Sequence, residues 1–441
     1  MKNKKILLIT PFFAPETHAA VFRVHKLAKY LHRENWEVHV LTVNINYTYN
    51  EDKNLLEELE GITIHRARYI EPSIRGLKMA IGGKDRTFKA MKHQSNTKIS
   101  LNDVTSKRKE PSLFNKFYDY LLNNHLKNPD RFWTWENAAI KLGKRIILKE
   151  NIGTIYTTCL PFTTNKIGIS LKKQTNINWV ADFRDPITYA KRMYSDNNRI
   201  YLKQKKIQDL TFKYADQITG LSSSYGLIFH DQYEGKYNDK FTFIPTGLDD
   251  DYLPEPVIEK DNTLLFIGEY LKEYEDKFFK LFKRTIEGLD IKQVPKIIII
   301  GRIEVNKKVV TPYIKELGIE NLVLFYDHMP QSKLYEFVEK SRFVLLISGS
   351  TALWWTNFAK LVDYIALKKE VIAIIPDISE ARSELNKANV GVFLNYDELS
   401  INKLRDVIES NVTAKNINES YCKRYLASSQ VKSFIKVFES L

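Results

Sequence analysis

Apolar residues along this chain come in two alternating rhythms. Short runs such as Lys5-Ile-Leu-Leu-Ile-Thr10 and Val38-His-Val-Leu-Thr-Val43 read as buried strands, and between them Val21, Val24, Leu27, Ala28 and Leu31 recur at helical spacing. That is a β-α-β unit of a parallel sheet. The alternation continues with a strand at 62–65, a helix at 137–149, strands at 154–158 and 179–181, a polar helix at 201–214, and strands at 215–222 and 241–249. Asp249-Asp-Asp-Tyr-Leu-Pro-Glu-Pro-Val257 then breaks the pattern with acids and prolines, as a linker does. Beyond it five strands, at 263–268, 296–301, 323–325, 343–347 and 371–375, alternate with helices, and 401–409 and 418–441 are helical. The pattern predicts an α/β protein of two doubly wound, Rossmann-like parallel-sheet domains, 1–248 and 249–419, with a helix at 420–441 returning to the first.

Length agrees, since 441 residues exceed one ordinary core. The 44% hydrophobic and 27% charged fractions are those of a soluble globular chain, and 12% aromatic residues exclude disorder. No apolar run approaches the ~18–20 residues of a membrane span, and the basic start reads as the lead into a strand rather than a signal peptide. Two cysteines, Cys159 and Cys422, exclude a disulfide framework and point to the cytoplasm. Net charge is +14, and between residues 72 and 150 there are 17 Lys and Arg against 7 Asp and Glu. Segment 72–136 is expected to be a basic surface insertion, poor in periodicity over 72–109. The basic run 72–150 is either a solvated face or a patch for an anionic membrane surface or phosphorylated substrate. Residues 112–126 are amphipathic and suit a membrane interface or packing on their own domain. Nucleic acid is not expected, because the basic residues belong to no recognisable module.

Candidate chemistry gathers at strand ends. The loop at 11–20 lacks G-x-G-x-x-G and the chain has no P-loop, so no nicotinamide cofactor is expected. In Asn178-Trp-Val-Ala-Asp-Phe-Arg-Asp-Pro186, a buried strand ends in Asp182, Arg184 and Asp185, at the ligand edge of an open parallel sheet. The alternative is that Arg184 pairs with Asp182 or Asp185 only to hold a loop. Thr163-Thr164-Asn165 is expected to cap a helix and offer N–H groups to an anion. After the strand at 343–347, Ser348-Gly-Ser-Thr-Ala352 makes a flexible turn, and Thr356 or Asn357 is expected to cap a helix whose first turn carries Lys360. Free N–H groups, a helix dipole and a lysine there suit a diphosphate, and Asp363 suits a ribose or sugar hydroxyl. The alternative is an i,i+3 surface pair between the two. Trp354 and Trp355 are expected either to stack on a base or sugar or to be buried. No metal site is expected, since H-E-x-x-H and C-x-x-C are absent.

Four stretches, in this order, resemble the family-four glycosyltransferases: 5–31, Asp182-Phe-Arg-Asp-Pro186, Ile244-Pro-Thr-Gly-Leu-Asp249, and Lys360-Leu-Val-Asp-Tyr-Ile-Ala-Leu-Lys-Lys-Glu-Val-Ile-Ala373. The resemblance implies GT-B architecture, with two domains facing across a cleft. It also implies a retaining, metal-independent transfer of sugar from a nucleotide-diphosphate sugar to a glycan or lipid-linked acceptor. The setting would be surface polysaccharide synthesis, by a cytoplasmic protein peripheral to the inner membrane face. On the same resemblance, Lys360, Asp363, Tyr364, Arg302, Gly268, Ser348 and Thr351 bind the donor, Arg184, Asp185 and Asp182 are catalytic, and Glu16, Thr17, His18 and Arg23 meet the acceptor. The chain departs from the family at three points. Trp355 replaces the first of two glutamates, and Glu269 replaces the phosphate-binding arginine, leaving Lys272 or Lys277 as substitutes. Glu16-Thr-His-Ala-Ala20 replaces paired glycines. Two other readings follow, a GT-B nucleotide-sugar epimerase and a non-catalytic nucleotide-sugar-binding subunit.

Overall fold

Runs of isoleucine, leucine and valine, enclosed on both faces, build two parallel sheets. The computed structural model describes residues 3–17, 19–44, 51–73, 76, 81, 129–186, 188–190, 198–410 and 416–441. The chain forms two units, one of Met1–Leu221, Tyr225–Phe243 and Phe434–Leu441, the other of Ser222–Ser224 and Ile244–Ser433.

The first unit runs β1 (Lys5–Ile9), α1 (Ala19–Arg33), β2 (Glu37–Val43), α2 (Asn54–Glu57), β3 (Thr63–Ala67), α3 (Trp133–Glu150), β4 (Thr154–Cys159), α4 (Phe162–Thr175), β5 (Asn178–Phe183), α5 (Asn198–Tyr214), β6 (Gln217–Gly220), α6 (Ser224–Tyr233) and β7 (Phe241–Phe243). Its strands lie in the order β3-β2-β1-β4-β5-β6-β7, and every pairing is parallel. Ile6 to Ile9 are fully enclosed, as an unbroken apolar strand must be when helices cover both faces. The order reverses between β1 and β4, and in such sheets the crevice at the carboxyl ends beside that reversal is where ligands sit.

The second unit runs β8 (Asp261–Ile267), α7 (Lys277–Ile286), β9 (Lys296–Ile300), α8 (Ile303–Glu316), β10 (Val323–Tyr326), α9 (Gln331–Lys340), β11 (Ser341–Ile347), α10 (Ala359–Ala366), β12 (Val371–Ile374), α11 (Glu380–Ala388), β13 (Gly391–Phe393), α12 (Glu398–Glu409), α13 (Glu419–Cys422) and the start of α14 (Ala427–Glu439), whose residues from Phe434 on belong to the first unit. The order is β10-β9-β8-β11-β12-β13, reversing between β8 and β11. Leu265, Ile298, Val344 and Leu346 pack in one core, while Leu264, Phe266, Ile297, Ile299 and Leu345 pack in the other, so alternate residues feed opposite faces.

Three local expectations change. A sixth strand, β13, is only three residues long and carries too little pattern to be read. Helix α8 begins at Ile303 rather than near 310, because its first turns are polar and partly exposed and show no apolar stripe. The acidic stretch after Gly247 is tied down instead of hanging as a free linker. The Asp250 carboxylate accepts from Ser428 N (2.9 Å) and Ser428 Oγ (2.6 Å) and so caps the start of α14, while Asp249 accepts from Asp251 N. Leu248 and residues 425–427 exchange two backbone hydrogen bonds of 2.7 Å. A Cβ on Gly247 would stand 2.5 Å from Ala427 N, so only glycine admits this approach. No described helix is long and apolar enough to cross a membrane. Most of segment 72–136, including all of 112–126, lies outside the described residues.

Candidate functional site

At the reversal point of the second unit, β8 ends in Gly268, with φ of +113°, a conformation open to glycine and strained for other residues. Its carbonyl approaches Gly301 so closely that a Cβ there would lie 2.4 Å from it. Asn306, fully buried in the first turn of α8, holds this corner: its Nδ2 donates to Gly268 O (2.9 Å) and its Oδ1 accepts from Tyr270 N (2.8 Å). The sequence reading missed Asn306. The one available signal was a polar residue three positions inside a helix whose start was itself misplaced.

Lys360 reaches this corner from the first turn of α10. Its Nζ lies 5.1 Å from the Phe266 ring centroid and 2.6 Å from where a Cβ on residue 268 would sit. Among the described residues it makes no hydrogen bond and no ion pair. Burial lowers its pKa below the ordinary lysine value, with no carboxylate to offset the loss of water. The ammonium is thus partly withdrawn from water and lacks a counter-ion among the described residues. The cap expected from Thr356 or Asn357 does not form: Phe358 precedes the helix and no side chain caps it. The first N–H groups of α10 are therefore not taken by a side-chain cap.

The other donor-side residues are distributed as follows. Asp363 does not pair with Lys360, but accepts from Tyr335 Oη (3.0 Å) on α9, which together with burial pushes the Tyr335 phenol up. Tyr364 is fully buried in the core beneath α10 and presents no surface to a ligand. Arg302, at the start of α8, donates through Nε to Glu269 (2.6 Å), and this bond holds Glu269 below the usual carboxylate range. Glu269 thus neutralises the nearest arginine. Ser348 donates its backbone N–H to Ile374 O, and Thr351 is exposed at the start of a short 3-10 turn. Trp355 is buried and Trp354 half-buried. The sequence contains one D-x-D spacing, Asp249-Asp250-Asp251, and the Asp249 and Asp250 carboxylates are the capping groups described above.

In the first unit the arginine and acids at the end of β5 separate into two roles. Asp182 is fully buried and takes a bidentate pair from Arg23 of α1, Nε to Oδ2 at 2.9 Å and Nη2 to Oδ1 at 2.8 Å, with Thr219 Oγ1 donating at 2.7 Å. Burial works against the Arg23 charge, and Asp182 more than offsets it. A fully enclosed, saturated pair holds α1 to the sheet and leaves neither residue a surface for acceptor or chemistry. Asp182 is thus held in an ion pair, but its arginine is Arg23 and not Arg184, and the pair ties a helix to the sheet, not a loop.

Arg184 stands apart from that pair. Its Nη2 donates to the Leu160 carbonyl, the side chain's only hydrogen bond among the described residues, and its buried Nε has no partner. The guanidinium lies 5.8 Å from the Phe12 centroid, and burial lowers its pKa against the pull of Asp185 and Asp182. Asp185 beside it is half-buried. Glu16 is buried where it bridges to Glu51, Thr17 is half-buried, and His18 lies outside the described residues. The anion site expected at Thr163-Thr164-Asn165 is already filled. The half-buried Asp130 carboxylate accepts from Thr163 N (2.8 Å) and Oγ1 (2.7 Å), while Thr164 and Asn165 bond within β4 and its following turn. No sequence spacing connects Asp130 with Thr163.

No family model and no curated protein matches the sequence. Solved structures do match in shape over nearly the whole chain. HepE of Anabaena in complex with UDP superposes with a TM-score of 0.59 at 15% identity, covering 99% of this chain and 100% of that one. Sucrose-phosphate synthase from Thermosynechococcus elongatus gives 0.57 at 10%, covering 99% and 98%. A putative UDP-N-acetylglucosamine 2-epimerase from Listeria monocytogenes gives 0.53 at 11%, covering 99% and 96%. At such identities the likeness establishes the fold, which is GT-B.

Proposed function

We propose that this protein is a glycosyltransferase that binds a nucleoside-diphosphate sugar in its second unit and passes the sugar to a glycan or lipid-linked acceptor. The observation that carries the reading is Lys360, a desolvated cation without a counter-ion at the strand-order reversal, beside the strained Gly268 corner and an uncapped helix start. Breaking the sugar to phosphate bond puts negative charge on the leaving diphosphate, and fixed donors aimed at such charge are a large source of rate. Lys360 and the first N–H groups of α10 supply them without reorganising. The resemblance supports retention of anomeric configuration with side chains rather than a metal balancing the diphosphate. HepE, whose structure holds UDP, supports a uridine nucleotide as the first donor to try.

In the first unit, Arg184 and Asp185 are the groups we assign to acceptor and transferred sugar, while Asp182 and Arg23 position α1 against the sheet. The resemblance supports a role in surface polysaccharide synthesis at a membrane face. Glu269, standing where the family has arginine, makes diphosphate binding depend more heavily on Lys360 than in relatives that keep both cations.

The test is incubation with UDP-glucose and UDP-N-acetylglucosamine, with and without oligosaccharide or lipid-linked acceptors, followed by product analysis. Acceptor-dependent release of UDP that falls more than ~100-fold in Arg184→Ala, in a protein that still melts cooperatively, is expected. Interconversion of the donor sugar without acceptor would make the protein an epimerase instead, and binding without turnover of any donor would make it a nucleotide-sugar-binding subunit.

A further inference from the structure

The first unit carries a cluster of chemistry-bearing side chains that the proposed transfer does not use. It lies at the amino end of β2, whereas Arg184 lies at the carboxyl end of β5 in the same parallel sheet. Glu37 and His39 are two residues apart on β2 and so share one face, and Glu150, the last residue of α3, meets them there. One ligand atom from each of the three lies within 4.8 Å of the others. His39 is almost wholly buried, its Nε2 stands 3.0 Å from Glu37 Oε1, and its Nδ1 stands 3.0 Å from Nε2 of His65 on β3.

We propose that Glu37, His39 and Glu150 form a binding site for a divalent transition cation of the zinc class. One imidazole nitrogen and two carboxylate oxygens are a donor set that zinc, cobalt and nickel accept, at bond lengths of about 2.0–2.2 Å. Three such ligands stand about 3.5 Å apart around one ion, so small rotations of the exposed Glu37 and the half-buried Glu150 close the present triangle. Each carboxylate is now balanced by a lysine, Glu37 by Lys5 and Glu150 by Lys149, both at 2.8 Å. Lys5 is partly exposed and Lys149 largely so, and surface ion pairs of this kind hold weakly. Binding releases both ammonium groups to water.

The proton balance needs only a tautomer change. With His39 as the Nε2–H tautomer, that N–H faces the Glu37 carboxylate and Nδ1 accepts from His65. With the cation on Nε2, the His39 proton moves to Nδ1 and is donated to His65 Nε2, whose own proton moves to its Nδ1. No proton is gained or lost by the pair, and His65 then orients the ligating ring as outer-shell partners do. The bound ion would join the start of β2 to the end of α3, two segments that no covalent link near in sequence holds together.

The test uses the untagged full-length protein, stripped with EDTA and titrated with cobalt(II) chloride by absorption and zinc(II) chloride by calorimetry, with melting followed in parallel. One equivalent is expected to bind with a visible d–d band and a raised melting temperature. Affinity should fall at least about tenfold in Glu150→Gln, in His39→Gln and, through loss of the orienting partner, in His65→Ala. Glu150→Gln changes a partly exposed helix end, so its fold survives even where a change at His39 does not. Less than half an equivalent bound by wild type at 100 μM metal (a ceiling of about 5.5 kcal/mol in affinity), or undiminished binding by Glu150→Gln, overturns the assignment.

Discussion

Lys360→Met removes the charge at the Gly268 corner while keeping a long apolar stem over Phe266. At an effective dielectric of ~20, an ammonium about 4 Å from one diphosphate charge gains ~4 kcal/mol. Part of that is spent when the diphosphate gives up its own water. Most of the lysine's loss of water is already suffered in the free protein, as its lowered pKa shows. The net loss on substitution should therefore fall at ~2–3 kcal/mol, the range found for charged hydrogen bonds. That is roughly 30- to 150-fold in Kd for UDP by titration calorimetry. The free protein should not suffer: the lost cation–π contact, ~0.5–1 kcal/mol, is offset by removing an unpaired cation from a half-buried place. Wild-type and Lys360→Met midpoints in urea should agree within about 1 kcal/mol. A UDP affinity within twofold of wild type would move the diphosphate away from α10 and refute the reasoning.

The pH dependence follows from the same group. Burial lowers the Lys360 pKa in the free protein and a bound diphosphate raises it, so UDP affinity is fully present below the free-protein pKa and falls as pH rises through it; calorimetry should show this fall in wild type and none in Lys360→Met. Asp182→Asn leaves Arg23 enclosed without its counter-charge and should cost ~3–5 kcal/mol in urea unfolding, and a loss under 1 kcal/mol would mean the pair is dispensable. Gly247→Ala drives a Cβ against Ala427 N and should cost ~1–3 kcal/mol, read as a lowered melting temperature.

Much of the fold was legible because hydrophobic periodicity is a local property. The runs at 5–10, 38–43, 263–268 and 296–301 are strands of the two sheets, and the alternation with helices forced parallel pairing and hence ligand edges at carboxyl ends. Lys360 could be placed at such an edge from its position after a strand and a flexible turn. What the chain in one dimension could not contain was the choice of partners. Asp182 has two charged residues, Arg184 and Asp185, within three positions, yet its partner is Arg23, 159 positions away, because packing brings that side chain of α1 to the end of β5. The Thr163 helix start looked available until Asp130, 33 positions earlier, filled it. Buried polar groups must be satisfied by whatever the tertiary packing brings near, so sequence determined which elements exist and where chemistry can gather, while packing alone decided which charges are spent holding the fold and which, like those of Lys360 and Arg184, stand outside any ion pair among the described residues.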